Sequence, residues 1–159
     1  MGKVLQRRIR QTRFESPFQE AVLNLYLAAN HVRDLEEKAM RERDLTGPQY
    51  NVLRILKGVH PEGHPRCDIA SRMLDRAPDV TRLIDRLEQK GLVERDRDAS
   101  DRRLSVTRIT KKGLELVDRI TAELRMSTDT LAKRINPADA RELSRICELI
   151  YGDEVEGEG

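Results

Sequence analysis

The sequence has no tryptophan, only two cysteines, and few aromatic residues, which make up 3% of its 159 residues. Charged residues make up 36%. This composition favours a helix-rich protein with a large charged surface over a β-sandwich or a ligand-filled barrel. The length fits one domain, or one domain with an extension for dimerisation.

Long apolar segments are also absent. None approaches the roughly 20 residues of a membrane-spanning helix, and the N-terminus lacks the apolar core of a signal peptide. Cys67 and Cys147 lie far apart, in neither a disulfide nor a zinc-binding pattern. We therefore expect a cytoplasmic protein that does not bind membranes.

Enzyme motifs are missing as well. The sequence has no glycine-rich phosphate loop, no nucleophile elbow and no His paired with a carboxylate at catalytic spacing. His60 and His64 lie near Glu62 and Asp68, but the neighbouring prolines fit a turn better than a metal site. We expect no enzymatic activity, no cofactor and no metal.

Charge is distributed unevenly around a net value of +2. Residues 1–14 carry five basic residues and no acid, whereas residues 152–159 carry four acids and no base. Between them, residues 66–113 hold 13 Lys and Arg against 9 Asp and Glu. The grouping of charge places any site for a polyanion in this central segment.

Three segments share nearly the same helix-start pattern, at residues 16–19, 46–49 and 136–139. Each begins with Ser, Thr or Asn and has Gln or Asp three residues later, and two place Pro at the first helical position. Apolar spacing then predicts helices from Ser16 to about Arg43, from Thr46 to about Gly58, and from Asn136. A further long helix follows Thr110.

Between these helices the pattern is that of a DNA-binding module. Two short helices, over residues 68–74 and 78–90, flank a turn, and two strands, over residues 92–95 and 104–109, follow as a β-hairpin. Residues 58–65 are too rich in Gly and Pro to be regular. The fold class is mainly α with a small β-hairpin wing: a winged helix-turn-helix module plus N- and C-terminal dimerisation helices.

The second short helix carries the candidate recognition surface. Burying its apolar side turns polar residues outward: Pro78, Asp79, Thr81, Arg82, Asp85 and Arg86. Short residues at its start permit close approach, and an arginine one turn later can bond a guanine edge or a phosphate. The competing interpretation is an ordinary solvated face with ion pairs three or four residues apart.

The wing adds cations beside that helix. Its tip contains Asp101, Arg102 and Arg103, and a cationic tip at this place reaches the adjacent minor groove. The acids repel phosphate, so we interpret Asp101 as a carboxylate that orients an arginine.

Residues 16–151 resemble the MarR family of winged-helix transcription regulators. The resemblance rests on the segment DVTRLIDRLEQKGLVER from Asp79 to Arg95, the triplet 101–103, and ITKKG at 109–113. It implies a homodimer that binds double-stranded DNA at a pseudo-palindromic operator. It also implies that Arg103 enters the minor groove, that Asp101 holds it, and that Arg102 meets a phosphate.

These expectations assign the chain as follows. Residues 1–15 form a basic, flexible arm, which either adds DNA contacts or is a disordered end. Residues 16–45 and 111–151 form the dimerisation region, residues 46–110 the DNA-binding module, and residues 152–159 an acidic disordered tail.

The resemblance further implies a repressor that a small aromatic or phenolic effector releases, with Tyr26, His31 and Tyr50 as candidate effector-binding residues. A Tyr or His on an apolar face is more often a core residue. Two alternatives stay open: a redox-responsive regulator acting through Cys67, near a helix start, and a winged helix that binds only protein.

Overall fold

The computed structural model describes residues 2–74, 79–96 and 105–152, without the side chains of residues 126–128 and 131. Within these residues the chain forms seven helices and three short strands. They are α1 (Lys3–Ile9), α2 (Pro17–Arg41), α3 (Gly47–Gly58), β1 (His64–Pro65), α4 (Arg66–Ser71), α5 (Val80–Gln89), β2 (Val93–Arg95), β3 (Val106–Ile109), α6 (Lys111–Ala132) and α7 (Pro137–Tyr151). The expected fold class, mainly α with a small β wing, is confirmed.

The three predicted helix starts are present. Ser16 accepts a hydrogen bond from the backbone of Gln19 at the start of α2. Thr46 and Gln49 form a reciprocal capping box at α3, and Asn136 and Asp139 form another at α7. These contacts satisfy amide groups that have no partner inside the helix, so each helix begins where its capping residue stands.

The hairpin strands pair as expected, with Val93 opposite Ile109 and Arg95 opposite Thr107. The irregular loop predicted at residues 58–65 needs correction, because His64 and Pro65 form a third strand on the far side of β3. The turn before it depends on Gly63, whose φ is +77° and whose missing side chain leaves room for the Thr107 carbonyl. Two residues of strand are too short for a periodic signal.

The basic N-terminal segment also differs from the flexible arm that we expected. Residues 3–9 form α1, and the Leu5 side chain in it is only 2% exposed. The backbone nitrogen of Gly2 donates to the Glu20 carboxylate on α2 at 2.7 Å. This segment therefore forms a helix with one buried apolar side chain and a contact to α2. Of the acidic tail expected at residues 152–159, residues 153–159 lie outside the described residues.

Two compact units divide the chain, residues 1–120 and 121–159. The core of the first lies where α3, α4, α5 and the sheet meet, and its fully buried side chains include Val52, Leu53, Leu56, Ile69, Ile84, Leu87, Val117 and Ile120. Burial of one such aliphatic side chain contributes about 1.5–3 kcal/mol. This core fixes the position of α5 against the hairpin.

The two short helices differ slightly from the predicted bounds. Helix α4 begins at Arg66 and ends at Ser71. Leu74, the last residue of the predicted helix, lies beyond this end and is 87% exposed. The backbone of Leu74 instead donates to the Asn51 side chain on α3 at 2.9 Å. Helix α5 begins at Val80, with Asp79 as its capping residue. The predicted turn at 75–77 and Pro78 lie outside the described residues.

Helix α7, in the second unit, buries none of its described side chains. Its apolar residues are spaced for one face, yet Leu143, Ile146, Leu149 and Ile150 are between 43% and 70% exposed. Helix α2, in the first unit, similarly exposes Phe18, Val22 and Tyr26. None of the described helices is long and apolar enough to cross a membrane.

Candidate nucleic-acid interface

Helix α5 has one wholly buried side and one polar side. Val80, Leu83, Ile84 and Leu87 face the core, each no more than 9% exposed. Thr81, Arg82 and Arg86 are exposed on the opposite side, as the sequence predicted. The helix therefore presents short and cationic side chains to solvent without weakening its packing.

The first turn of α5 is organised by Asp79. Its Oδ1 accepts from the Arg82 backbone nitrogen at 3.3 Å, and its Oδ2 lies 3.2 Å from Arg82 Nε. A carboxylate at this place both caps the helix and suits its positive end. Asp79 thus points Arg82 along the exposed face, where both side chains are more than half exposed.

Arg66, which the sequence analysis did not single out, joins this surface from α4. Its Nη1 lies 3.4 Å from Thr81 Oγ1, and its side chain is exposed. No ion pair to Arg66 occurs among residues 2–74, 79–96 and 105–152. The start of α5 therefore has two cations, Arg66 and Arg82, on either side of the small Thr81, and only tertiary structure brings Arg66 there.

Arg95, at the end of β2, was also missed. Its Nη2 lies 2.5 Å from Asp85 Oδ1 and its Nη1 3.7 Å from Glu88 Oε2, both on α5. The side chain is 25% exposed, so this pair is partly shielded from water. The predicted outward position of Asp85 is correct only in part, because its carboxylate is turned towards the hairpin.

The end of the hairpin strands next to the connecting segment contains one more ion pair. Asp96 Oδ2 lies 2.8 Å from Arg108 Nη1 on β3, and the Asp96 carbonyl accepts from the Ser105 hydroxyl. An aspartate in a DNA-binding wing is unexpected on charge alone, but here it pairs with an arginine across the hairpin. Asp101, Arg102 and Arg103 lie outside the described residues, so their predicted roles remain predictions.

The end of α5 is tied to the start of α6. Gly91 has a φ of +68°, the left-handed conformation in which a glycine commonly ends a helix. The Thr110 hydroxyl donates to the Gly91 carbonyl at 2.8 Å and accepts from the Gly113 nitrogen at 3.1 Å. At Gly113 a side chain would overlap the Leu92 carbonyl oxygen, so only glycine fits.

A cleft of about 410 Å³ lies beside this end of α5, lined by Arg41, Asp44, Leu45, Thr46, Gln49, Arg86, Gln89 and Lys90. Lys90 lies 2.8 Å from the Asp44 carboxylate and lowers the pKa of that group. Arg41 pairs with Glu37, and the capping box occupies the first amides of α3. Most of the charge that an anion would need is therefore already paired.

None of the three candidate effector residues lines this cleft. Tyr26 is 65% exposed and His31 is also exposed, both on α2, whereas Tyr50 is 6% exposed in the core of the first unit. The structure thus does not bring the three together in a described pocket, and an effector role for them stays a prediction.

Cys67 is exposed and its thiol donates to the Asp68 carboxylate at 3.4 Å, while Cys147 is half-buried. The Nδ1 atom of His64 lies 3.7 Å from Asp68. Within the described part of the chain, no three His, Cys, Asp or Glu residues are arranged to hold a metal ion. The redox function of Cys67 is a prediction that these contacts do not test.

Known proteins share this arrangement. A family model described as the MarR family matches residues 45–105, which include α3, α4, α5 and β2. A MarR transcription factor from Planctomyces limnophilus is 38% identical in its crystal structure, over 86% of this chain and 99% of that one, with a TM-score of 0.66. The chain belongs to the MarR family. It is therefore a transcription regulator and not an enzyme.

Two further solved structures share the fold at lower identity. The S. aureus MepR–DNA complex is 22% identical, over 89% of this chain and 99% of that one, with a TM-score of 0.72. A MarR-family regulator from Rhodococcus sp. RHA1 is 23% identical, over 86% and 96% of the two chains, with a TM-score of 0.70. No curated protein matches the sequence.

Proposed function

We propose that this MarR-family chain binds double-stranded DNA as a homodimer, at a pseudo-palindromic operator, and acts as a repressor that a small effector releases. The observation that carries DNA binding is the face of α5, where four buried apolar residues leave Thr81, Arg82 and Arg86 directed outward. A helix with this division fits the major groove, with small and cationic side chains against bases and phosphates.

The surroundings of α5 support the same proposal. Arg66 adds a cation next to Thr81, and the hairpin stands beside the helix with Arg95 between them. The segment between β2 and β3 includes Arg103, which we propose enters the minor groove, with Asp101 orienting it and Arg102 meeting a phosphate. A solved relative with the same fold, MepR, is a DNA complex.

The exposed apolar stripes support a homodimer. On α2, Phe18 and Val22 lie four residues apart and are 81% and 48% exposed. On α7, Leu149 and Ile150 are more than 60% exposed. Exposed apolar side chains that line one face of a helix mark a partner surface, which a two-fold dimer covers at once.

For the effector we propose a small aromatic or phenolic compound that contacts Tyr26 and His31 on α2. Both side chains are accessible, and one supplies an aromatic face and the other a polar ring. A compound of this class that releases the protein from DNA should lose that effect on the double variant Tyr26→Ala/His31→Ala. Unchanged release from this variant would place the effector elsewhere.

Selection from random DNA tests whether the chain binds a specific operator. Duplexes that the purified chain selects from a random pool should contain an inverted repeat with half-sites about 10 base pairs, or a multiple of that, apart. Affinity should fall steeply with salt, because phosphate contacts release counterions. A flat salt dependence would instead favour a winged helix that binds protein.

A matched pair of variants tests whether Arg82 reads a base or contacts a phosphate. Arg82→Ala should cost about 1–3 kcal/mol on the selected duplex and change base preference, if Arg82 reads a base. Arg119→Ala removes the same charge from an exposed position on α6 and should leave base preference unchanged. An equal loss on all duplexes would make Arg82 a phosphate contact.

A further inference from the structure

Two edges of different charge border the exposed face of α5. At about 100° per residue, Thr81, Asp85 and Glu88 fall on one edge. Arg82, Arg86 and Lys90 fall on the other. The second edge is cationic, whereas the first holds two carboxylates, 45% and 32% exposed, directly beside the surface that approaches DNA. Left alone, these two charges repel phosphate.

Arg95 compensates the acidic edge from outside the helix. It is the last residue of β2, and its two terminal nitrogens reach separate carboxylates, Asp85 at 2.5 Å and Glu88 at 3.7 Å. The Thr81 carbonyl lies 3.5 Å from Nη2, so the guanidinium spans two turns of α5. A planar fork with several donors makes such a contact, and a lysine ammonium does not.

The pairing also orients the hairpin. Arg95 is followed by Asp96, which pairs with Arg108 on β3, and then by residues 97–104. The contact to α5 and the contact across the hairpin therefore lie on adjacent residues, one on each side of the point where the chain leaves β2. Together they fix the direction in which the hairpin departs from α5.

We propose that Arg95 is a positioning residue for DNA binding: it joins the hairpin to α5 and neutralises Asp85 and Glu88, and it does not itself contact DNA. The inference rests on the proposed function and adds to it a link between the two elements that read DNA. All three described contacts of the guanidinium are to α5, and the side chain is only 25% exposed, so the group is directed towards the helix.

A double-mutant cycle on the full chain tests the proposal, with the selected duplex as the probe. Arg95→Ala should weaken binding roughly tenfold, the size expected when one partner of a contacting charge pair is removed. Asp85→Asn alone should weaken binding less than Arg95→Ala, because Arg95 keeps its contacts to Glu88 and the Thr81 carbonyl. Asp85→Asn in the Arg95→Ala background should recover most of the loss, since the stranded carboxylate is then gone.

A weaker recovery is expected from Glu88→Gln in the same background, because its carboxylate is 3.7 Å away. Affinities are compared at a temperature where thermal unfolding shows every variant to be fully folded. If Arg95→Ala does not fold, Arg95→Lys replaces it. Arg95→Lys keeps the positive charge but can pair with only one of the two carboxylates. Its affinity for the selected duplex should fall roughly threefold, and Asp85→Asn should restore most of that loss.

Several outcomes would overturn the proposal. Additive effects of Asp85→Asn and Arg95→Ala mean that the two residues act independently, and a loss that Asp85→Asn does not recover makes Arg95 a phosphate contact. An Arg95→Ala or Arg95→Lys variant that is folded and binds like wild type removes the role altogether. If the wild-type chain binds no duplex, the proposed function fails, and this inference with it.

Discussion

Helices α3 and α7 begin in the same way and lie in different surroundings. Both have a capping box and a proline in the first turn. Helix α3 buries five residues, among them Leu53 and Leu56 at 0% exposure, whereas α7 buries none of its described side chains. Local sequence therefore determines where a helix starts, while the surroundings determine whether its apolar face is covered within the chain or by a partner.

The largest effect should come from removing apolar volume from each helix, which tests whether its apolar face is covered within the chain or by a partner. Leu53→Ala should lower the free energy of unfolding by about 2–5 kcal/mol, because the cavity forms in a closed core. Ile146→Ala on α7 should act through association, so its effect on the unfolding midpoint should depend on protein concentration. Chemical denaturation at several concentrations, with sedimentation to follow the dimer, measures both.

Two results would contradict this expectation. A Leu53→Ala effect that varies with concentration would place its loss at the dimer interface. An Ile146→Ala effect that is the same at every concentration would show that the α7 face packs within one chain, and the dimer proposal would lose its C-terminal surface.

A smaller effect is expected from the caps, where the two helices are alike. Thr46→Ala and Asn136→Ala should each cost about 1 kcal/mol, because each removes a side chain that accepts from the first amides of its helix. Thermal unfolding of the two variants gives the comparison, with Ser144→Ala, at an exposed position within α7, as the control. A much larger cost at Thr46 would mean that the burial of Gln49, 3% exposed, contributes beyond the cap.

The difference between local sequence and surroundings also explains which features of the fold the sequence could predict. The starts of α2, α3 and α7, the left-handed Gly91 and the apolar side of α5 are local patterns, and all are present. The bounds of α4 were wrong at both ends. A six-residue helix is less than two turns, so it has too little periodicity to define its limits.

The contacts that organise the candidate site were beyond the reach of local patterns. Arg95 and Asp85 are ten residues apart, Arg66 and Thr81 fifteen, and both pairs meet only once the hairpin and the two short helices have packed. The charge excess of residues 66–113 pointed to the segment that contains the candidate site but did not show which charges pair with each other. Asp96, an apparent liability in the wing, pairs with Arg108.

Gly113 and Thr110 give the end of α5 an additional property. One hydroxyl bonds Gly91 on one side and the first turn of α6 on the other, and the Leu92 carbonyl fills the space where Gly113 has no side chain. These contacts hold the end of α5 and the start of α6 directly against each other. The orientation of α5 is therefore set in part by contacts to the start of a helix that lies outside its exposed face.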